Sequence, residues 1–136
     1  MKSLLKLEEL AEMLLAGFVF AHLPVAWWVL PATFLLPDLS MLGYLAGPRV
    51  GAASYNLVHH KATAIAVGVA GWLLGLPLLV LAGTVLLFHS AFDRLLGYGL
   101  KYATAFQDTH LGRVGKAPAA TSPAASALHL GYADAH

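Results

Sequence analysis

The sequence predicts an all-α integral membrane protein: a bundle of about four transmembrane helices, arranged as two helical hairpins, with both termini cytoplasmic. Three observations carry that expectation. No Lys, Arg, Asp or Glu occurs from Met13 to Pro37 or from Ala62 to Phe92, and both windows exceed the roughly 18 residues that mark a membrane span. Of the 136 residues 59% are hydrophobic and 11% charged, under half of the roughly 25% charged content of soluble domains, so a soluble globule lacks the polar surface it needs. Each window is also broken near its middle, at His22-Leu23-Pro24 and at Gly75-Leu76-Pro77, which turns each into a hairpin.

The first helix is expected from Ser3 to Ala21. It opens amphipathically in Lys2-Ser3-Leu4-Leu5-Lys6-Leu7-Glu8-Glu9-Leu10, a pattern suited to the membrane interface. Glu8, Glu9 and Glu12 behind the two lysines do not resemble a secretory signal. Proline suits the first turn of a helix, where its missing N–H removes no bond. Pro24 and Pro77 therefore start the second helix, Pro24 to Leu36, and the fourth, Pro77 to Tyr102. Pro31 is expected to kink the second helix, which is short for a span and either tilts and thins the bilayer locally or continues past Pro37 through a second piece, Leu39 to Ala46, closed by Gly47-Pro48. The third runs from Val50 to Leu74. Lys2, Lys6, Arg49, Arg94, Lys101, Arg113 and Lys116 then fall on one side of the bundle, the cytoplasmic side by the positive-inside rule.

Residues 1–116 form a single transmembrane domain in this reading. Residues 117–136, rich in Ala, Pro and Ser, lack the large apolar side chains of a packed element and are expected to be a flexible tail. A net charge of +1 gives no basic field for nucleic acid. The absence of cysteine removes disulfides, thiolate catalysis and cysteine metal ligands. Trp27, Trp28 and Trp72 suit an aromatic belt. Gly71 and Gly75 form a GxxxG pair that permits close helix contact, the one feature pointing to a homo-oligomer.

Polar residues inside a membrane span are costly and mark function. From Pro24 to Asp38 is 14 positions, from Gly75 back to His59 is 16 and forward to His89 is 14. At 1.5 Å per residue each lies about 21–24 Å from the outer turns, so three helices bring polar groups to one level. His89 and Asp93, four apart, share a helix face, as do Asn56 and His60. Asp38, His59, His89 and Asp93 are the expected metal ligands, with Asn56 orienting a ligand histidine and His60 and His110 as secondary candidates. Imidazole and carboxylate together suit zinc, manganese or iron. Each expected ligand has a structural alternative: Asp38 as a helix N-cap, His59-His60-Lys61 as an interfacial cluster snorkelling to the headgroups, and His89 and Asp93 paired with each other, with Arg94 or with Lys61.

Several segments, in order, carry a resemblance: Leu36-Pro37-Asp38-Leu39-Ser40-Met41-Leu42-Gly43-Tyr44, then Tyr55-Asn56-Leu57-x-His59, then His89-x-x-x-Asp93-Arg94-x-x-Gly97-Tyr98-Gly99-Leu100-Lys101-Tyr102, and Thr109-His110-Leu111-Gly112. Together they resemble the bacterial membrane-protein family catalogued as domain of unknown function 4260. That resemblance implies a small multi-helix protein of the bacterial inner membrane, with membrane lipid as its surroundings, and no defined activity. The order Leu-Pro-Asp, histidine-bearing helix and His-x-x-x-Asp is more loosely similar to bacterial membrane-bound metal-dependent hydrolases, which implies metal ligation by Asp38, His59 or His60, His89 and Asp93. The chain departs from that pattern at Ser40, where a second acidic residue is expected.

Two function classes follow. As an enzyme, a metal-dependent hydrolase would act on a lipid-like ester or phosphoester, with Arg94 or Lys101 steadying an anionic headgroup and Asp93 as ligand or general base. As a binding, transport or scaffold protein, the same cluster would be a buried ion or proton site, or a structural hydrogen-bond network.

Overall fold

The computed structural model describes residues 1–115; Lys116 and the expected tail, 117–136, lie outside them. The elements are α1 (Lys2–Ala21), α2 (Val29–Thr33), a 3-10 helix (Leu36–Ala46), α3 (Pro48–His59), α4 (Lys61–Leu73) and α5 (Pro77–Leu96), followed by β1 (Asp108–Thr109) and β2 (Gly112–Arg113), which pair antiparallel.

α1 ends where expected, with His22 Nδ1 donating to the Phe18 carbonyl at 2.8 Å. Pro24 does not start a helix. The Val25 N–H bonds the Leu23 carbonyl two residues back, at 2.8 Å, a tight turn that holds this stretch out of helical geometry. α2 begins only at Val29. Pro31 is thereby its third residue, where N–H groups have no intrahelical partner, so it replaces no bond and is not the kink expected. The piece after Pro37 is present, but as part of a 3-10 helix 11 residues long, against the usual three or four. It closes at Gly47, whose φ of 113° favours glycine.

The single third helix expected from Val50 to Leu74 is two. His60 is extended (φ −85°, ψ 121°) and its Nδ1 accepts the Ala62 N–H at 3.2 Å, capping α4. α5 begins at Pro77 as expected but stops at Leu96 rather than Tyr102. Gly97 (φ 99°) closes it, with the Tyr98 N–H on the Asp93 carbonyl at 2.8 Å and the Gly97 N–H on Arg94 at 3.0 Å. That is a Schellman closure, and it returns residues 98–102 toward α3.

α5 packs between α1 and α4, and the 3-10 helix lies on α3. Glycine permits both approaches. A Cβ on Gly83 would lie 2.7 Å from the Ala64 carbonyl oxygen, and one on Gly51 would overlap the Tyr44 ring. Gly71 faces Leu79 and Val80 within the same chain, so it serves the α4–α5 hairpin. Many of the residues so buried are small or polar, Ala16, Ala52, Ala64, Ala91, His59, His89 and Ser90, beside the larger Phe20, Tyr55 and Val85, while Leu14, Phe18, Ile65, Trp72, Leu73 and Leu78 are exposed. Two stretches, Val29–Ala46 and Pro77–Leu96, are long and apolar enough to cross a membrane; α4 is apolar but shorter.

Candidate metal centre

Four side chains from three elements converge at the middle of this arrangement. Asp38 stands in the first turn of the 3-10 helix, His59 is the last residue of α3, and His89 and Asp93 are one turn apart on α5. Their relative placement is fixed by contacts nearby. Ser54 Oγ on α3 donates to the Ser40 carbonyl at 2.8 Å, which ties the 3-10 helix to α3 beside Asp38. Tyr55 stacks on the His59 ring at 3.8 Å between centroids, and Phe34 meets the His89 ring at 4.9 Å.

One ligand atom from each of the four lies within 4.8 Å of the other three. The two imidazole Nε2 atoms are 3.2 Å apart, each is 3.4 Å from Asp38 Oδ1, and each is 3.8 Å from Asp93 Oδ2. Zinc bonds of about 2.0–2.2 Å in tetrahedral geometry imply ligand-to-ligand edges of roughly 3.3–3.6 Å. Hydrogen bonds from nitrogen to oxygen fall at about 2.7–3.2 Å, shorter than all four nitrogen–carboxylate separations. The nitrogen–carboxylate spacings therefore fit ligands around a common centre better than direct bonds, while the 3.2 Å between the imidazoles also suits an N–H···N bond; the wider side, at Asp93, leaves room there.

Protonation points the same way. His59 Nδ1 lies 3.0 Å from the Tyr55 carbonyl, which only accepts, so Nδ1 carries the proton and the neutral ring presents a bare Nε2 to the cluster. His59 and His89 are each 1% exposed. Neither Asp38 nor Asp93 has a Lys or Arg ion pair among the described residues, although two carboxylates share this small volume. A dication is the natural counter-charge.

Tyr55 entered the sequence reading only within the resemblance segment and was given no role at the site, yet it contributes twice: its carbonyl orients His59 and its hydroxyl donates to Asp93 Oδ2 at 2.9 Å. The signal was present, since Tyr55 precedes His59 by one helical turn. Asn56, expected to orient a ligand histidine, instead clamps the Lys101 main chain, donating to its carbonyl at 2.8 Å and accepting its N–H at 2.7 Å. Three residues before His59, it faces the returning segment rather than the cluster. His60 is exposed and spent on capping α4; His110 Nδ1 accepts the Leu100 N–H at 2.8 Å, away from the four ligands. Asp38 is not the N-cap of its helix, which is Leu35 without a side-chain bond. Lys61 does not neutralise Asp93; it pairs with Glu9 at 2.7 Å and Glu12 at 2.8 Å.

The two basic candidates part company. Lys101, 5% exposed, borders a cavity of about 400 Å³ shared with Asp38, Tyr55, Asp93 and Tyr98. Its ammonium sits 4.0 Å from the Phe106 ring centre and 5.2 Å from that of Tyr55. Burial pushes this ammonium below the usual lysine range, while Asp93 and then Asp38 draw it back. Arg94 lines a different groove, beside α1, and donates to the Tyr98 and His59 carbonyls at 3.3 and 3.4 Å.

Fold and site together define a helical protein with spans of membrane-crossing length and a buried cluster of two histidines and two aspartates. Compared with protein-family models, residues 2–114 match the family described as "Domain of unknown function (DUF4260)", and the chain belongs to that family. No curated protein and no solved structure matches it, so the looser similarity to metal-dependent hydrolases gains no support there.

Proposed function

We propose that this protein is a small multi-pass membrane protein whose Asp38, His59, His89 and Asp93 hold a divalent cation, zinc being the best match to the ligand set. The observation that carries the reading is the convergence of four ligand atoms within 4.8 Å of one another, two of them buried imidazole nitrogens. Manganese and iron use the same donors at higher coordination. Elemental analysis of protein purified without chelator tests it. One metal per chain is expected, falling below a tenth in His89→Ala and Asp38→Asn; a metal-free wild type that also takes up none on addition refutes it.

The uncharged windows favour four spans, both termini cytoplasmic, in a bacterial inner membrane. Cysteine introduced at Leu76 should react from the periplasmic side and cysteine at Lys2 from the cytoplasmic side. The reverse pattern refutes that orientation.

Hydrolysis of a lipid-like ester or phosphoester is the second reading, and one observation favours it: the cavity that borders both carboxylate ligands also holds a buried lysine without an ion pair among the described residues. A divalent ion there would polarise an ester oxygen and ease deprotonation of water. Lys101 would bind an anionic group of the substrate, Tyr55 would hold the Asp93 carboxylate in place, and Asp93 would act as ligand or take up a proton. Metal-loaded protein should turn over some member of a panel of lipid esters and phosphoesters, with a loss of at least about 100-fold in Asp93→Asn. Equal rates in both proteins, or none with metal bound, leave the cluster as an ion site that fixes the helices.

A further inference from the structure

We infer that a second site, separate from the histidine–aspartate cluster, binds the phosphate of an anionic phospholipid headgroup. It is the groove of about 490 Å³ between the first turns of α1 and the C-terminal end of α5, with Lys2, Lys6, Arg94 and His110 on its walls. Pockets of this size accept small ligands.

Its charge is one-sided. Lys2 and Lys6 are four apart on one helix face, where like charges repel, and neither has an ion pair among the described residues, nor does Arg94. The single carboxylate in the groove, Glu9, is already held by Lys61 at 2.7 Å. Arg94 commits Nη1 and Nη2 to carbonyls, but a guanidinium carries five N–H donors, so donors remain for an anion. His110 accepts the Leu100 N–H through Nδ1 at 2.8 Å, which places the proton of its neutral ring on Nε2 and makes that atom a further donor. Four donor side chains from three segments thus share one groove, and none of them has an ion pair to a carboxylate among the described residues.

The surroundings identify what carries the phosphate. Leu5 and Leu111 border the same groove and are exposed, offering an apolar rim to a glyceride. The charged turns of α1 end at Glu12, and the uncharged window opens at Met13, so the groove lies where the chain passes from polar to apolar surroundings. Basic pockets at that level are suited to anionic headgroups. A free phosphate shares the chemistry without using the rim.

The test titrates the whole protein in uncharged detergent with short-chain phosphatidylglycerol, with phosphatidylcholine and with inorganic phosphate, counting bound molecules by native mass spectrometry. Phosphatidylglycerol is expected to bind one per chain, at least about tenfold more tightly than phosphatidylcholine. Lys2→Gln/Lys6→Gln, both at exposed positions, should weaken it at least about tenfold while leaving the melting temperature and metal content unchanged. Arg49→Gln/Arg113→Gln removes the same formal charge elsewhere and should leave binding intact. Inorganic phosphate that binds at millimolar concentration and displaces the lipid would assign the site to soluble phosphate. Equal phosphatidylglycerol binding by wild type and the Lys2/Lys6 variant, or equal weakening by the Arg49/Arg113 control, overturns the site.

Discussion

Tyr55→Phe deletes one oxygen and leaves the ring that stacks on His59. The lost atom is the hydroxyl that donates to Asp93 Oδ2 at 2.9 Å. Hydrogen bonds to ionised groups contribute about 1.5–3 kcal/mol, so the metal-free variant should be less stable by about that much. The informative quantity is the increment on adding metal, because removing a group that orients a ligand weakens metal affinity by about 10- to 100-fold. At a free metal concentration 100 times the wild-type Kd, binding stabilises the wild type by about 2.7 kcal/mol. The same concentration is only one to ten times the variant's Kd, which gives about 0.4–1.4 kcal/mol. For a chain of this length 1 kcal/mol moves Tm by roughly 3–5 °C, so metal should raise Tm by roughly 8–13 °C in the wild type and roughly 1–7 °C in the variant. Melts with and without zinc, monitored by circular dichroism in detergent, read both increments. Identical increments would show that Asp93 needs no positioning by Tyr55. No increment in either protein would mean that the four side chains form a polar network and not a metal site.

Asn56→Ala should lower stability by about 1–3 kcal/mol through loss of its two bonds to the Lys101 main chain, with metal stoichiometry retained; loss of metal in a folded variant would return Asn56 to the role of ligand support. Gly83→Ala should destabilise by about 1–3 kcal/mol, since the new Cβ meets the Gly68 backbone and the Ala64 carbonyl. Gly68→Ala, whose Cβ would be 3.8 Å from Gly83, should be neutral or stabilising by up to about 1 kcal/mol. Thermal melts of the pair check the sign difference. Burial holds the Lys101 ammonium below its ordinary value of 10.5, so between its folded and unfolded pKa the unfolded chain binds the extra proton and stability rises with pH. Lys101→Met should flatten that rise in metal-free protein, measured as the difference between variant and wild-type melts across alkaline pH steps; unchanged slopes refute it.

The parts of the site that were legible in the sequence followed from one regular quantity, the helical rise. Counting from the turns placed Asp38, His59 and His89 at one depth, and a four-residue step put Asp93 beside His89; these are the four side chains that the fold brings together. The counting tolerated errors in the elements themselves. Pro24 begins no helix and Leu36–Ala46 is wound as a 3-10 helix, with a rise nearer 2.0 Å, yet Asp38 arrives at the cluster because Ser54 and the Gly51–Tyr44 contact seat its helix on α3. What stayed hidden depends on backbone events with no residue signature. The break at His60 is capped by an imidazole, whereas N-caps are recognised by Ser, Thr, Asp or Asn, so two helices read as one. The return of residues 98–102 was only hinted at by Gly97 and Gly99, and its consequence, Lys101 at the cluster's cavity and Arg94 in another groove, is set by the Schellman closure and by Asn56. Sequence adjacency had treated the two cations as alternatives for one anion. The fold separates them, and each faces its own cavity with unspent charge.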